Sequence, residues 1–304
     1  MNTKIKTKMT PIRYPGGKSN ALKQLIPHLP SIFSEYREPF FGGGSVGLYL
    51  MQINKDAKFW INDFFYPVYC FWKVLYEEPA NMMTFILNKR HVYLTDSNEN
   101  VKRGIPSKNA ENGRNLHTWC RERIKKSIID KDEFHTACYW YILNKTSFSG
   151  MSMIGSYAPL AWNQNFTINC INNLLKISDL MHSVKSLKIT NLDYSELLKD
   201  ERRDTFYFLD PPYDIKDNLY GNNGDMHRNF NHEKFANDIK QCKLSKWMIT
   251  YNNNPVIVER FKDYKQIPWE LQYTMKSTKR AGQEGSKTSG KSGKIGKELL
   301  IINY

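Results

Sequence analysis

Phe206-Tyr207-Phe208-Leu209-Asp210-Pro211-Pro212-Tyr213 joins an apolar run to an abrupt stop, and the rest of the chain takes its sense from it. Four apolar and aromatic residues, Phe206 to Leu209, predict a buried parallel strand. A carboxylate and two prolines end it. Each proline fixes its φ and lacks an N–H, so the chain leaves the strand in a stiff shape. The Asp210 side chain, the Pro211 carbonyl and the Tyr213 ring then share one preformed edge. Two acceptors beside an aromatic plate suit a flat ring bearing an exocyclic amino group: the acceptors take its two hydrogens and the plate stacks on its face. On these eight residues alone a plain alternative stays open, a strand ending in a proline-rich turn with Asp210 as a cap.

The remaining chain narrows the choice. Its 304 residues allow one large domain with an insertion, or two domains, and 40% apolar residues suffice for a core. With 44 Lys and Arg against 30 Asp and Glu, the net charge of +14 points to a polyanionic partner, for which nucleic acid is the usual candidate. Five cysteines, an odd number with no C-x-x-C pair, fit reduced thiols in a cytoplasmic protein. The histidines form no clustered ligand pattern, so no metal site is expected. No run approaches a membrane span, and Lys4, Lys6 and Lys8 precede no apolar stretch of the kind a secretory signal needs.

Two glycine loops lie near the N-terminus. In Arg13-Tyr14-Pro15-Gly16-Gly17-Lys18 a proline and two glycines predict a tight loop whose backbone approaches a ligand closely, with Lys18 as a cation beside it. Ser19 is expected to cap a helix through Ala21, Leu22, Leu25 and Ile26. The second loop, Phe40-Phe41-Gly42-Gly43-Gly44-Ser45-Val46-Gly47, contains both F-x-G-x-G and G-x-G-x-x-G. It predicts a sharp strand-to-helix turn with room for a cofactor against bare backbone. The strand Phe59–Asn62 ends at Asp63, nineteen residues beyond Gly44, where an acid commonly bonds ribose hydroxyls. Loop and acid together do not separate a nicotinamide site from an S-adenosylmethionine site.

Residues 64–78 read as a helix closed by Pro79. From 80 to 172 the pattern changes to an inserted, mainly helical module. It has a short amphipathic segment at 81–94, a polar stretch at 95–118, two helices, and a hairpin or loop near 148–166. Arg114, Arg121, Arg123, Lys125, Lys126 and Lys145 are candidates for a phosphate-facing surface. A strand over 184–192 follows. Asp193 then suits either an adenine amino group, with Tyr194 packed on the ring, or the cap of the next helix. Residues 214–230 form a long polar loop, placed as a lid over the base. After a helix at 232–243, a strand at 246–251 and a further helix at 255–264, two strands near 269–273 and 298–304 flank a basic Gly- and Ser-rich loop that includes Lys279 and Arg280. Its composition predicts flexibility and contact with a polyanion.

In order, the chain carries Pro15-Gly16-Gly17-Lys18, Phe40-x-Gly42-x-Gly44, Asp63, an insertion, Asp193 and Asp210-Pro211-Pro212-Tyr213. This series resembles the Dam-like (alpha-group) DNA adenine-N6 methyltransferases over nearly its whole length, and least in the insertion. The resemblance implies an α/β fold, a Rossmann-like class I methyltransferase sheet of seven mostly parallel strands with a reversed C-terminal hairpin strand. Residues 1–79 and 173–304 would form the catalytic domain and 80–172 an inserted target-recognition domain. The implied cofactor is S-adenosyl-L-methionine. Tyr14, Pro15, Gly16, Gly17 and Lys18 would lie by its methionine part, Phe40, Gly42, Gly44 and Ser45 would frame it, Asp63 would hold the ribose, and Asp193 with Tyr194 the adenine. Asp210 would also bind the cofactor; Asp210 to Tyr213, with Lys18, would grip the target adenine, and Arg121, Arg123, Lys145, Lys279 and Arg280 would meet DNA. The implied partner is double-stranded DNA, in a monomer or weak dimer of prokaryotic or phage origin, and a cognate restriction endonuclease is compatible with it. Two other readings compete. A nicotinamide-dependent oxidoreductase rests on Gly42, Gly44, Gly47 and Asp63, and a non-catalytic nucleic-acid-binding protein rests on charge. Neither accounts for residues 206–213.

Overall fold

The structure, a computed structural model, describes residues 5–93, 110–213, 230–272 and 295–304. In chain order the first elements are α1 (Leu22–Leu25), β1 (Glu35–Glu38), α2 (Ser45–Ile53), β2 (Lys58–Asn62) and α3 (Tyr66–Glu77). Helices α4 (Pro79–Tyr93), α5 (Ala110–Ile129), α6 (Glu133–Thr146), α7 (Pro159–Asn165) and α8 (Ile168–His182) follow. The chain then returns through β3 (Ser186–Thr190), α9 (Tyr194–Leu198), β4 (Thr205–Leu209), α10 (His232–Gln241), β5 (Lys246–Asn252), α11 (Pro255–Arg260), β6 (Lys265–Gln272) and β7 (Ile295–Ile302).

The seven strands form one sheet in the order β3-β2-β1-β4-β5-β7-β6. β3 through β5 are parallel, and β7 runs antiparallel to both neighbours. This is the expected mostly parallel sheet with a reversed strand from a C-terminal hairpin. Chain order reverses between β1 and β4: from β1 the chain winds outward through β2 and β3, then returns to build β4 and β5 on the other side. A crevice opens at such a point, past the carboxyl ends of the strands, because the connections leave in opposite directions.

Alternation along the strands feeds two apolar layers. Phe206, Phe208, Met248, Leu300 and Ile302 face one. Tyr207, Leu209, Trp247, Ile249, Leu299 and Ile301 face the other, against α9, α10 and α11. Among the described residues, helices α4 to α8 have no separate core. Trp140, Tyr141 and Leu143 of α6 join the same cluster as Phe71 of α3 and Phe59 of β2, with the Phe71 and Tyr141 rings stacked at 5.6 Å and 3°. Each such large side chain removed from water contributes about 1.5–3 kcal/mol.

Several local expectations need correction. The helix after Ser19 is broken into a 3-10 turn, the single turn α1 and a second 3-10 turn, and Ser19 caps nothing. Its hydroxyl instead meets that of Ser45 at 2.8 Å. Pro79 begins α4 rather than merely closing α3, since a first-turn proline gives up an N–H the helix does not need. The polar stretch is already helical from Ala110, and Gly113 sits inside α5 because a Cβ there would strike the Tyr157 hydroxyl and the Trp162 ring. Of the hairpin or loop expected near 148–166, the segment before α7 is a loop whose pairing is one antiparallel bridge, Ser147 with Tyr157. Residues 95–109, the loop 214–229 and the basic loop with Lys279 and Arg280 lie outside the described residues.

Candidate active site at the strand ends

Glu38 ends β1, and the chain turns through Pro39 to Gly44 into α2. Gly42 (φ 46°) and Gly44 (φ 66°) occupy the left-handed region that a side chain strains to adopt. Neither has room for a Cβ: on Gly42 it would lie 2.7 Å from the Tyr14 ring, and on Gly44 2.6 Å from the Phe41 ring. Trp72 of α3 holds the turn from behind, donating Nε1–H to the Gly42 carbonyl at 2.9 Å. The Tyr14–Lys18 loop lies over this turn.

At the end of β2, buried Asp63 accepts from Gly42 N at 2.7 Å through Oδ2 and from Phe65 N at 2.9 Å through Oδ1. Burial pushes its carboxyl up to about 6 against the pull of those two N–H donors. Beside it, buried Asn62 makes four hydrogen bonds. Its amide donates to the carbonyls of Pro39 and Leu192, and its oxygen accepts from Thr190 Oγ1 and Leu192 N, tying together the ends of β1, β2 and β3. Asp193 does cap α9: Oδ1 accepts from Ser195 N at 3.0 Å and Ser195 Oγ at 2.5 Å, which leaves Oδ2 over. Tyr194 stacks on Phe40 at 5.7 Å and donates to Asp238 at 2.7 Å.

Across the crevice, Asp210 follows β4. Lys18, 192 positions away in sequence, donates Nζ–H to its carboxylate at 2.6 Å and to the Gly16 carbonyl at 3.0 Å. Thr250 of β5 donates to Asp210 Oδ1 at 2.6 Å. The Tyr213 ring lies 5.0 Å from Lys18 Nζ, and its hydroxyl donates to buried Glu298 at 2.7 Å. Between the two walls is a cavity of about 660 Å³, a size that suits a small-molecule ligand. It is bordered by Tyr14, Gly17, Lys18, Phe40, Gly42, Gly44, Ser45, Asp63, Asp193, Tyr194, Asp210, Pro211 and Pro212. Pro15, Gly16 and Tyr213 do not border it, and Gly16 contributes the carbonyl that receives Lys18.

Other residues at the site carried no motif. Glu38 is buried in the cavity wall, accepts from Tyr36 Oη at 2.7 Å and Gly47 N at 3.1 Å, and has its carboxyl pushed well up by burial, with the charges of Asp210 and Asp63 adding to the push. An acid directly before Pro-Phe-x-Gly-x-Gly was the available signal. Phe230 and Asn231, at the start of α10, close one side of the cavity. Of the basic candidates in the insertion, Arg121 and Arg123 are exposed on α5. Lys145 is not: it is buried in α6, near the Tyr141 ring, and desolvation pulls its ammonium down to about 8. α6 is covered on all sides from Thr136 to Thr146, so a lysine there does not face solvent. Among the described residues no helix is long and apolar enough to cross a membrane.

The chain is similar in sequence to known proteins. The chain is 26% identical over 211 residues to the Type II methyltransferase M.MjaIII of Methanocaldococcus jannaschii, covering 66% of this chain and 68% of that protein. It is 23% identical to the Type II methyltransferase M1.LlaDCHI of Lactococcus lactis subsp. cremoris, covering 96% of this chain and 94% of that one. The match to a family model, over residues 14–275, takes in both walls of the cavity and does not favour the oxidoreductase or the non-catalytic reading. The chain belongs to the D12 class N6 adenine-specific DNA methyltransferase family.

Proposed function

We propose that this DNA adenine methyltransferase takes its methyl group from S-adenosyl-L-methionine held in the 660 Å³ cavity, and delivers it to an adenine turned out of double-stranded DNA against Asp210–Tyr213. The observation that carries the proposal is the contact of Lys18 with Asp210, which joins the Tyr14–Lys18 loop to the Asp-Pro-Pro-Tyr edge at one cavity. The residues suit that cofactor. The turn at Gly42–Gly44 offers backbone with no side chain in the way, Asp63 and Asp193 provide acceptors at the ends of β2 and β3, and Phe40 and Tyr194 provide flat apolar surface.

When bound, S-adenosylmethionine supplies a methyl group already activated on a sulfonium. The protein's task is the other partner, an amino nitrogen whose lone pair is delocalised into the ring. Asp210 and the Pro211 carbonyl accept its hydrogens, shifting electron density toward nitrogen. Holding that nitrogen in place adds an orientation term. An adenine inside a duplex is out of reach, so it must be extruded at a cost of a few kcal/mol. Stacking on Tyr213, at about 1–3 kcal/mol per base, offsets part of that cost. The helices within 80–172 are the proposed target-recognition region, with Arg121 and Arg123 meeting phosphates from α5.

Modified-base sequencing of DNA from cells expressing the chain, paired with a cofactor titration of the purified protein, tests the proposal. N6-methyladenine in one recurring sequence context and saturable S-adenosylmethionine binding are expected. Unmodified adenine, or no binding of that cofactor, would contradict it.

A further inference from the structure

We propose that Thr250 is a positioning residue for the target base: its hydroxyl holds the Asp210 carboxylate against the pull of Lys18, so that an incoming amino group meets a fixed acceptor. The inference rests on Asp210 being that acceptor, as proposed above.

The sheet dictates the pairing. β4 and β5 run parallel, and Leu209 opposite Ile249 is their last registered pair. One residue further, Asp210 stands beside Thr250. By alternation both lie on the face that carries Phe208 and Met248. Thr250 is wholly buried, within the otherwise apolar run Trp247-Met248-Ile249-Thr250-Tyr251. A hydroxyl in such a strand costs free energy unless it finds a partner, and this one donates to Asp210 Oδ1 at 2.6 Å.

Lys18 draws on the same carboxylate at 2.6 Å and is itself only 4% exposed. A carboxylate held by one ammonium alone can swing about its Cβ–Cγ bond to face the cation. A second donor, from the neighbouring strand, fixes the plane of the group. Threonine suits the task because branching at Cβ restricts χ1, so the hydroxyl cannot wander. A hydrogen bond from a hydroxyl to an ionised carboxylate is also short and strong. In its absence Asp210 turns toward Lys18, and the base loses an aligned acceptor while its stacking surface and the cofactor half of the cavity are untouched.

Thr250→Ser and Thr250→Ala differ from each other only by the hydroxyl. Their single-turnover transfer rates, at saturating S-adenosylmethionine and duplex DNA, are the test, alongside cofactor affinity, KM for DNA and melting temperature. The expected result is a rate roughly 10- to 100-fold lower for Thr250→Ala and within about threefold of wild type for Thr250→Ser. Cofactor affinity is unchanged in both, and kcat moves more than KM. Equal rates in the two variants overturn the proposal, because an idle hydroxyl leaves both high and a packing role leaves both low. If wild type transfers no methyl group to DNA, or Asp210→Ala transfers as well as wild type, the failure is in the reading of the site itself, and the role given to Thr250 falls with it.

Discussion

Asp63 and Asp210 both follow the carboxyl ends of strands that flank β1, yet they are held in opposite ways. Asp63 takes both of its hydrogen bonds from backbone N–H groups, at Gly42 and Phe65. Asp210 is held by two side chains, Lys18 and Thr250. Backbone donors in a turn braced by Trp72 cannot turn away, whereas an ammonium and a hydroxyl can share a carboxylate with a newcomer. The half of the cavity proposed for the cofactor is therefore a cradle braced by backbone, and the half proposed for the target base a grip made of side chains. Damage to the first should appear in folding and cofactor affinity, and damage to the second in the rate of transfer.

Of three substitutions that would sharpen this contrast, the one with the largest expected effect lies in the cradle. Gly44→Ala forces a side chain into the left-handed region and against the Phe41 ring, 2.6 Å away. A stability loss of about 1–3 kcal/mol is expected, together with weakened cofactor binding. Thermal melting and a cofactor titration check it, and an unchanged titration would break the contrast.

Next comes Asp63, through pH. Its folded carboxyl titrates near 6, above the ordinary aspartate value of 3.8. Because the folded value is raised, the group's contribution to folding is full below 3.8 and is lost as pH rises through about 6. Acidification from pH 7 to 5 therefore does not unfold the protein through Asp63. It does protonate the acceptor of Gly42 N, so cofactor affinity should fall over that window. Asp63→Asn should bind about tenfold more weakly at pH 7 and lose this part of the pH dependence. Titrations at several pH values decide it.

The smallest effect belongs to the grip. Tyr213→Phe removes the bond to Glu298 but keeps the ring, so transfer should slow by less than about tenfold, with cofactor affinity unchanged. A change in cofactor affinity larger than the change in rate would place Tyr213 in the wrong half.

What could be read from the sequence was what is local. Glycines at 42 and 44, an acid at 63 and the stop at Asp210-Pro211-Pro212 are residue types that a strand-end turn demands, so their spacing marked the site. Thr250 and Glu298 gave no such mark, because their roles come from pairing across the sheet, 40 and 85 positions from their partners. Asn62 looked like the tail of a strand, and its four bonds became visible only once β1 and β3 lay beside it. Lys145 misled because a cation on a helix reads as a surface residue, and sequence periodicity does not reveal that α3, α5 and α7 enclose α6. The start of α5 was hidden by Asn and Gly, which weaken helix propensity but are tolerated where Gly113 meets Tyr157 and Trp162.

Cofactor affinity and single-turnover transfer, measured side by side on Asp210→Ala, test the division most directly. The account predicts wild-type-like affinity for S-adenosylmethionine with transfer reduced by roughly 10³-fold or more. Transfer at close to the wild-type rate, or loss of cofactor binding in step with transfer, would contradict it.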